Sequence, residues 1–198
     1  MPDGGSTGIG ASVKRKEDYR FLVGEGNYTD DINRPNQTYT YMLRSSSAHA
    51  KFSLDTSNAS KAKGVVRIFV GTDMEVGSIP CGWQVDSKDG TPMREPAHPP
   101  IAKDKVRYVG EILAVIIAET LEDAKNAAEL IDVNYDDIPV IIDMQEALDN
   151  SKGLVHDEIE SNVCYDWEIG DSEAVDKAIS EAAHITSLDI RNNSDSDD

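Results

Sequence analysis

The sequence predicts a layered α+β domain in which helices pack on a sheet. Three observations carry that expectation. Residues 112–118, "ILAVIIA", are continuously apolar, as a strand covered on both faces must be. Residues 121–131 repeat their apolar positions with a helical period: Leu121, Ala124, Ala127, Ala128 and Ile131 share one face, and Glu122, Lys125, Asn126 and Glu129 take the other. Two further stretches alternate, Tyr39-Tyr41-Leu43 against Thr40-Met42-Arg44, and Ile131-Val133-Tyr135 against Asp132-Asn134-Asp136.

Taken in order, residues 1–12 are rich in Gly, Ser and Thr and predict a loose arm. From Val13 to Ile32, Gly24, Gly26 and the Asp30-Asp31 pair signal turns around a short extended piece. A strand follows at "TYTYMLR". Residues 51–54 predict the next, then a short helix capped by Asp55 or Thr56 and closed by Gly64, then a strand over 65–70. Between Gly77 and Pro100 the density of Gly and Pro forbids a long helix and predicts an irregular excursion or hairpin, a natural binding loop. The second strand–helix–strand unit runs from residue 112 to 136, with Thr120 as helix cap and Asp123 three residues on. "IPVIID" predicts another strand, Ala174–Ala183 a short helix and "ITSLDI" a last strand; "RNNSDSDD" has no apolar residue and predicts a disordered acidic tail.

The chain has 198 residues, enough for one domain or one and a half. Its net charge of −18 repels nucleic-acid backbones and anionic lipid headgroups, so neither is an expected partner. Cys81 and Cys164 stand far apart and outside any C-x-x-C pattern, which predicts reduced thiols buried as small hydrophobes. The start "MPDGGSTGIG" lacks the apolar stretch of a secretory signal, and no apolar run approaches the ~20 residues of a membrane span. A cytoplasmic protein is the expectation.

The 114–135 unit invites a test as a phosphate cradle, which needs glycine at the strand-to-helix turn. Here the turn is Ala118-Glu119-Thr120, and Glu119, Glu122 and Asp123 set three negative charges where a phosphate would sit. A packing unit is the better reading. "GIG" at 8–10 and "GEG" at 24–26 lack the third glycine and a strand feeding a helix, so they read as turns. His49, His98, His156 and His184 are scattered without ligand spacing and read as loop or surface histidines. Ser45–Ser47 lie near His49 in sequence but lack a nucleophile elbow. "NYDDI" and "SDSDD" lack a calcium-loop pattern and read as solvated carboxylates. Arg15, Lys16 and Arg20 form the one basic cluster, a solvated turn or a docking point for an acidic surface.

Several stretches together, "GIGASVKRKEDYRFLVGEGNYTDDI", "LRSSSAHAKF", "PPIAKDKVRYVGEILAVIIAET", "AAELIDVNYDDIPVIID" and "LVHDEIESNVCYDWEIGD", resemble the amino-terminal part of the molybdenum-binding large subunit of the xanthine dehydrogenase and aldehyde oxidase family. Among its branches the chain is most similar to the aerobic carbon monoxide dehydrogenase large subunit. The resemblance runs from about Gly8 to Asn193, and Arg107–Glu111, "RYVGE", is its most specific part. It implies an α/β hammerhead domain, a mixed sheet with helices on one side. It further implies that a full family protein binds molybdenum with a molybdopterin cytosine dinucleotide in later domains and hydroxylates a small substrate with oxygen from water. Iron–sulfur clusters and FAD then carry the electrons on partner subunits.

The expected division is a flexible arm over 1–20, the hammerhead over 21–145, a linker toward the molybdenum-cofactor domains over 146–190 and the tail over 191–198. Family members continue into the cofactor region where this sequence ends, and the family's catalytic glutamate and cofactor loops have no counterpart here. No catalytic, cofactor-binding or metal residue is therefore assigned. The expected function is a non-catalytic scaffold part of a molybdenum hydroxylase, inactive alone. It would pack on the remaining cofactor domains and on the iron–sulfur and flavin subunits. The alternative is a stand-alone small-molecule binding module, with ligands against Trp83 and the loop up to Pro100.

Overall fold

Antiparallel pairing organises every strand of the computed structural model, which describes Ile9 and residues 15–190. One three-stranded sheet is ordered β1 (Tyr39–Arg44), β5 (Ile112–Ala118), β3 (Val65–Val70). The other is ordered β4 (Lys105–Val106), β2 (Ala50–Asp55), β6 (Asp132–Asp137). Four α-helices accompany them among the described residues: α1 (Asp18–Leu22), α2 (Leu121–Ala128), α3 (Met144–Leu148) and α4 (Ser172–Ser180). This is the expected α+β class, its strands distributed over two antiparallel sheets where a mixed sheet was expected.

The apolar run of β5 earns its central place. Ala114, Ile116 and Ala118 alternate along one face and meet Ala124, Ala127 and Ala128 of α2, all buried. Methyl-sized side chains on both surfaces let helix and sheet approach closely. A register shift lies opposite Leu43 and Arg44, which pair with Ala114 and Ile112 and leave Leu113 between them unpaired. The extra residue leaves Leu113 without a rung and bends the strand there. Leu113 enters a second cluster with Ala50, Ala102 and Val106, and Leu43, Leu54 and Val133 pack against both clusters and join them.

The start of α2 is fixed by Thr120, whose Oγ1 accepts from the Asp123 amide at 3.0 Å and lies 2.6 Å from Asp123 Oδ2. Thr120→Ala is expected to cost about 1 kcal/mol of unfolding free energy, measured by urea denaturation, because it orphans a helix-terminal amide. Thr120→Ser, which keeps the acceptor, is expected to stay within a few tenths of a kcal/mol.

Four sequence expectations change. The short helix expected between β2 and β3 is a single 3-10 turn, Ala59–Lys61. The Asp55 carboxylate accepts from the Ser57 amide at 2.9 Å and opens that connection as a turn. "IPVIID" extends the β6 ladder by one bond, Ile138 amide to His49 carbonyl at 2.9 Å, and then stops. Past it the Pro139 carbonyl is occupied by His49 Nδ1 at 2.9 Å, a side-chain bond in place of a further rung. "ITSLDI" forms no strand and is a member of neither sheet. Between Val13 and Ile32, where turns around a short extended piece were expected, the structure adds a helix: α1 precedes the non-helical residues 25–28, a 3-10 turn follows at Thr29–Asp31, and the Phe21 and Tyr28 rings stack at 5.4 Å.

The acidic tail, the "GIG" glycines and most of the expected arm lie outside the described residues. Among the described residues, no helix is long and apolar enough to cross a membrane.

Candidate functional site

The excursion between β3 and β4 folds as a hairpin. Met93 donates its amide to the Val85 carbonyl at 3.1 Å, Ser87 to Thr91 at 2.8 Å, and the Asp89 carboxylate ties the tip by accepting from the Thr91 amide and hydroxyl. A strap from far along the chain lies across it. Arg94 donates its amide to the Cys164 carbonyl at 2.9 Å and Lys88 to the Asp166 carbonyl at 2.7 Å. Arg94 Nη1 reaches the Val163 carbonyl at 3.2 Å, and Lys88 Nζ sits 2.8 Å from Asp166 Oδ2. Between hairpin and strap opens a cleft of about 300 Å³ lined by Trp83, Val85, Tyr165 and Trp167. Its aromatics are uncovered: Trp83 is 81% exposed and Trp167 53%.

A polar cluster underlies the "KVRYVGE" segment. Lys105 is buried, and its ammonium meets Asp157 Oδ2 at 2.9 Å. This bond holds the Asp157 carboxyl below its ordinary value. Glu111, also buried, accepts from the Arg107 amide at 2.6 Å, and so closes the turn that carries Tyr108 and Val109. Gly110 completes this turn with a positive φ of 89°, its amide bonded to the Ser45 carbonyl at 2.8 Å. His156 stands 3.4 Å from Glu158 Oε1 through Nδ1, although that atom has no partner in hydrogen-bond geometry.

Burial, then the Arg107 guanidinium, hold the His156 imidazole below its ordinary value of 6.5, outweighing the pull of Glu158. Folded His156 therefore resists a proton that the unfolded chain accepts. The stability it contributes is complete above about pH 6.5 and is lost as pH falls from there through the depressed folded value. Urea unfolding across this range should show that decline, and His156→Gln should flatten it; an unchanged slope in the variant would assign the decline to other groups.

The residues singled out from sequence divide clearly. At the α2 N-terminus the cap already occupies the Asp123 amide, and Asp123 Oδ2 crowds Gly64, where an added Cβ would lie 2.5 Å from it. Nothing there invites an anion. Ser45 Oγ donates to the Ser47 carbonyl at 2.8 Å and Ser47 Oγ to Asp137 Oδ1 at 2.9 Å, so neither hydroxyl is directed at His49. His49 itself is buried, not on the surface, held by the Pro139 carbonyl. His98 faces Tyr108 with ring centroids 6.4 Å apart. Cys81 and Cys164 are exposed free thiols and not buried hydrophobes, because hairpin and strap are both surface segments. Arg20 lies over the Phe21 ring at 4.9 Å, while the Arg15 amide donates to Asp18. Among the described residues, no group of three or more His, Cys, Asp or Glu is placed to hold a metal ion.

Sequence reasoning located Trp83 but missed Tyr165 and Trp167, the other walls of the cleft. Their signal was the period-two spacing of Tyr165, Trp167 and Ile169 in "CYDWEIGD", which marks an extended segment with one apolar face.

Comparison with known proteins bears on the same surfaces. Residues 23–139 match the family described as aldehyde oxidase and xanthine dehydrogenase, a/b hammerhead domain. The carbon monoxide dehydrogenase large chain of Afipia carboxidovorans is 29% identical over 192 residues, which cover 90% of this chain and 23% of that protein. The nicotine 6-hydroxylase large subunit of Paenarthrobacter nicotinovorans is 32% identical, covering 90% and 21%. Among solved structures, reconstituted CO dehydrogenase from Oligotropha carboxidovorans superposes with a TM-score of 0.70 at 29% identity, over 87% of this chain and 22% of that one. The chain thus spans less than a quarter of the length of these relatives.

Proposed function

We propose that this chain, which belongs to the aldehyde oxidase and xanthine dehydrogenase family through its α/β hammerhead domain, is a non-catalytic amino-terminal scaffold of a molybdenum hydroxylase large subunit. Residues 21–145 form its body, and residues 146–190 lead toward the cofactor domains. One observation carries the reading. The strap and the segment after it leave a run of large apolar side chains in water: Trp167, Ile169, Val175, Ile179, Leu188 and Ile190 are each about half exposed or more. Val175 and Ile179 fall one turn apart on α4, which buries none of its residues. Large apolar side chains left in water in such number mark a segment that packs on something else. The remaining large-subunit domains are its partners, with the iron–sulfur and flavin subunits beyond them. The cytoplasm, where thiols stay reduced, suits the exposed Cys81 and Cys164.

The N-terminus of α2 offers no seat for a molybdopterin dinucleotide. The helix N-terminus that could receive its pyrophosphate is closed by Thr120 and flanked by Glu119, Glu122 and Asp123. The cofactor and its chemistry accordingly belong to the other domains. The alternative of a self-sufficient ligand module needs convergent polar groups in a pocket, whereas the cleft walls are two tryptophans, a valine and a tyrosine.

The test is complementation. The chain co-expressed with the molybdenum-binding remainder of a family large subunit is expected to co-purify with it and restore its molybdenum content and oxidoreductase activity. The chain purified alone should carry no molybdenum. Absence of co-purification and of restored metal content would overturn the reading.

A further inference from the structure

The cleft between hairpin and strap is lined by Trp83, Val85, Tyr165 and Trp167 around a volume of about 300 Å³. That is the bottom of the range for small-molecule pockets and suits one long side chain. Aromatic faces carry negative quadrupole charge and attract cations. The hairpin and strap add net charge of the same sign: over residues 83–95 and 163–171 the acids are Asp86, Asp89, Glu95, Asp166, Glu168 and Asp171, against Lys88 and Arg94, and the local bonds of Asp89, Glu95 and Asp171 to neutral donors leave their charge in place. Both cations are engaged within the hairpin and strap, Lys88 with Asp166 and Arg94 with the Val163 carbonyl. Walls and surrounding charge therefore select the same kind of occupant.

We propose that this cleft receives an arginine side chain from a partner polypeptide, its guanidinium stacked on the tryptophan faces and neighbouring basic residues opposite the hairpin and strap carboxylates. Arginine fits better than lysine because its planar, weakly hydrated cation stacks on aromatic rings. A second copy of this chain is disfavoured, since each copy carries a net charge of −18. The inference rests on the scaffold reading and deepens it: it locates one contact point and states the chemistry of the segment that docks there.

The probe is a fluorescein-labelled Lys-Gly-Arg-Gly-Lys peptide and its twin with citrulline in place of arginine, which keeps shape and removes charge. Binding to the full chain is measured by anisotropy at low and high salt. The arginine peptide is expected to bind saturably, with affinity falling in salt, and the citrulline peptide about tenfold more weakly. Trp83→Ala and Trp167→Ala are each expected to weaken the arginine peptide by a similar factor. Both side chains are largely exposed, so unchanged thermal melting of the variants certifies their fold. Equal binding of the two peptides, insensitivity to both tryptophan variants, no saturable binding, or self-association of the chain through the cleft would each overturn the inference. If the wild-type chain still co-purifies with the large-subunit remainder while the peptides fail, only this inference falls. If wild-type co-purification fails, the scaffold reading falls whatever the peptides do.

Discussion

Leu113→Ala is expected to lower the unfolding free energy by about 2–5 kcal/mol, the range for truncating a fully buried leucine. The side chain has no exposed surface, and it is the largest member of a cluster otherwise built from Ala50, Ala102 and Val106. Alanines and a valine cannot collapse into the space it leaves. Leu43, Leu54 and Val133, which join this cluster to the one beneath α2, are strand residues held by register and cannot follow. Against a typical total of roughly 5–15 kcal/mol for a domain, the loss takes a large share. The measurement is urea unfolding by far-UV circular dichroism. Val66→Ala is the comparison, since Val66 is 59% exposed in the register shift of β3 and should change stability by only about 0.5 kcal/mol.

That prediction turns on the part of the fold that sequence pattern reached least well. The burial of 112–118, the α2 face and its Thr120 cap were legible because each is written within one turn or a few residues. The division of the β5 side chains between two clusters was not. Leu113 and Ala114 are neighbours, and a strand without a bulge would send one of them to each face with no indication of what covers it. "IPVIID" misled for a related reason, since strand propensity is a statement about side chains, and the ladder ends after Ile138, where the Pro139 carbonyl bonds the distant His49 ring. The cleft was only half visible. Trp83 stood out in a loop, but its strap is recruited across 79 positions, the separation between Ser87 and Asp166 that are bonded there. No local period encodes such a pairing. His49 shows the same limit: Pro139, the residue whose carbonyl holds it, is 90 positions away.

Close approach of backbone to backbone, equally silent in the sequence, sets the other large expected effect. Gly71 is buried at the end of β3, where the chain leaves the first sheet, and it lies against the Ala102–Lys103 backbone on its way into β4 of the second. A Cβ built there overlaps the Ala102 carbonyl oxygen and falls 2.8 Å from the Ala102 carbonyl carbon and 2.9 Å from Lys103 Cα. None of these atoms can rotate away, as the end of a flexible side chain would. The Ala102 amide is also bonded to the Ile112 carbonyl at 2.8 Å, so displacing this segment strains its contact with β5. Gly71→Ala is therefore expected to destabilise the domain by about 1–3 kcal/mol, the cost of overpacking a dense interior. It should act by separating the two sheets, and so should also raise the exchange rate of the Ala102 amide relative to amides within α2. Gly77→Ala provides the contrast, because a Cβ at Gly77 meets nothing within 4 Å and should leave stability within about 0.5 kcal/mol of the parent. Equal behaviour of the two alanine variants would mean that the approach at Ala102 is looser in solution than the backbone geometry requires.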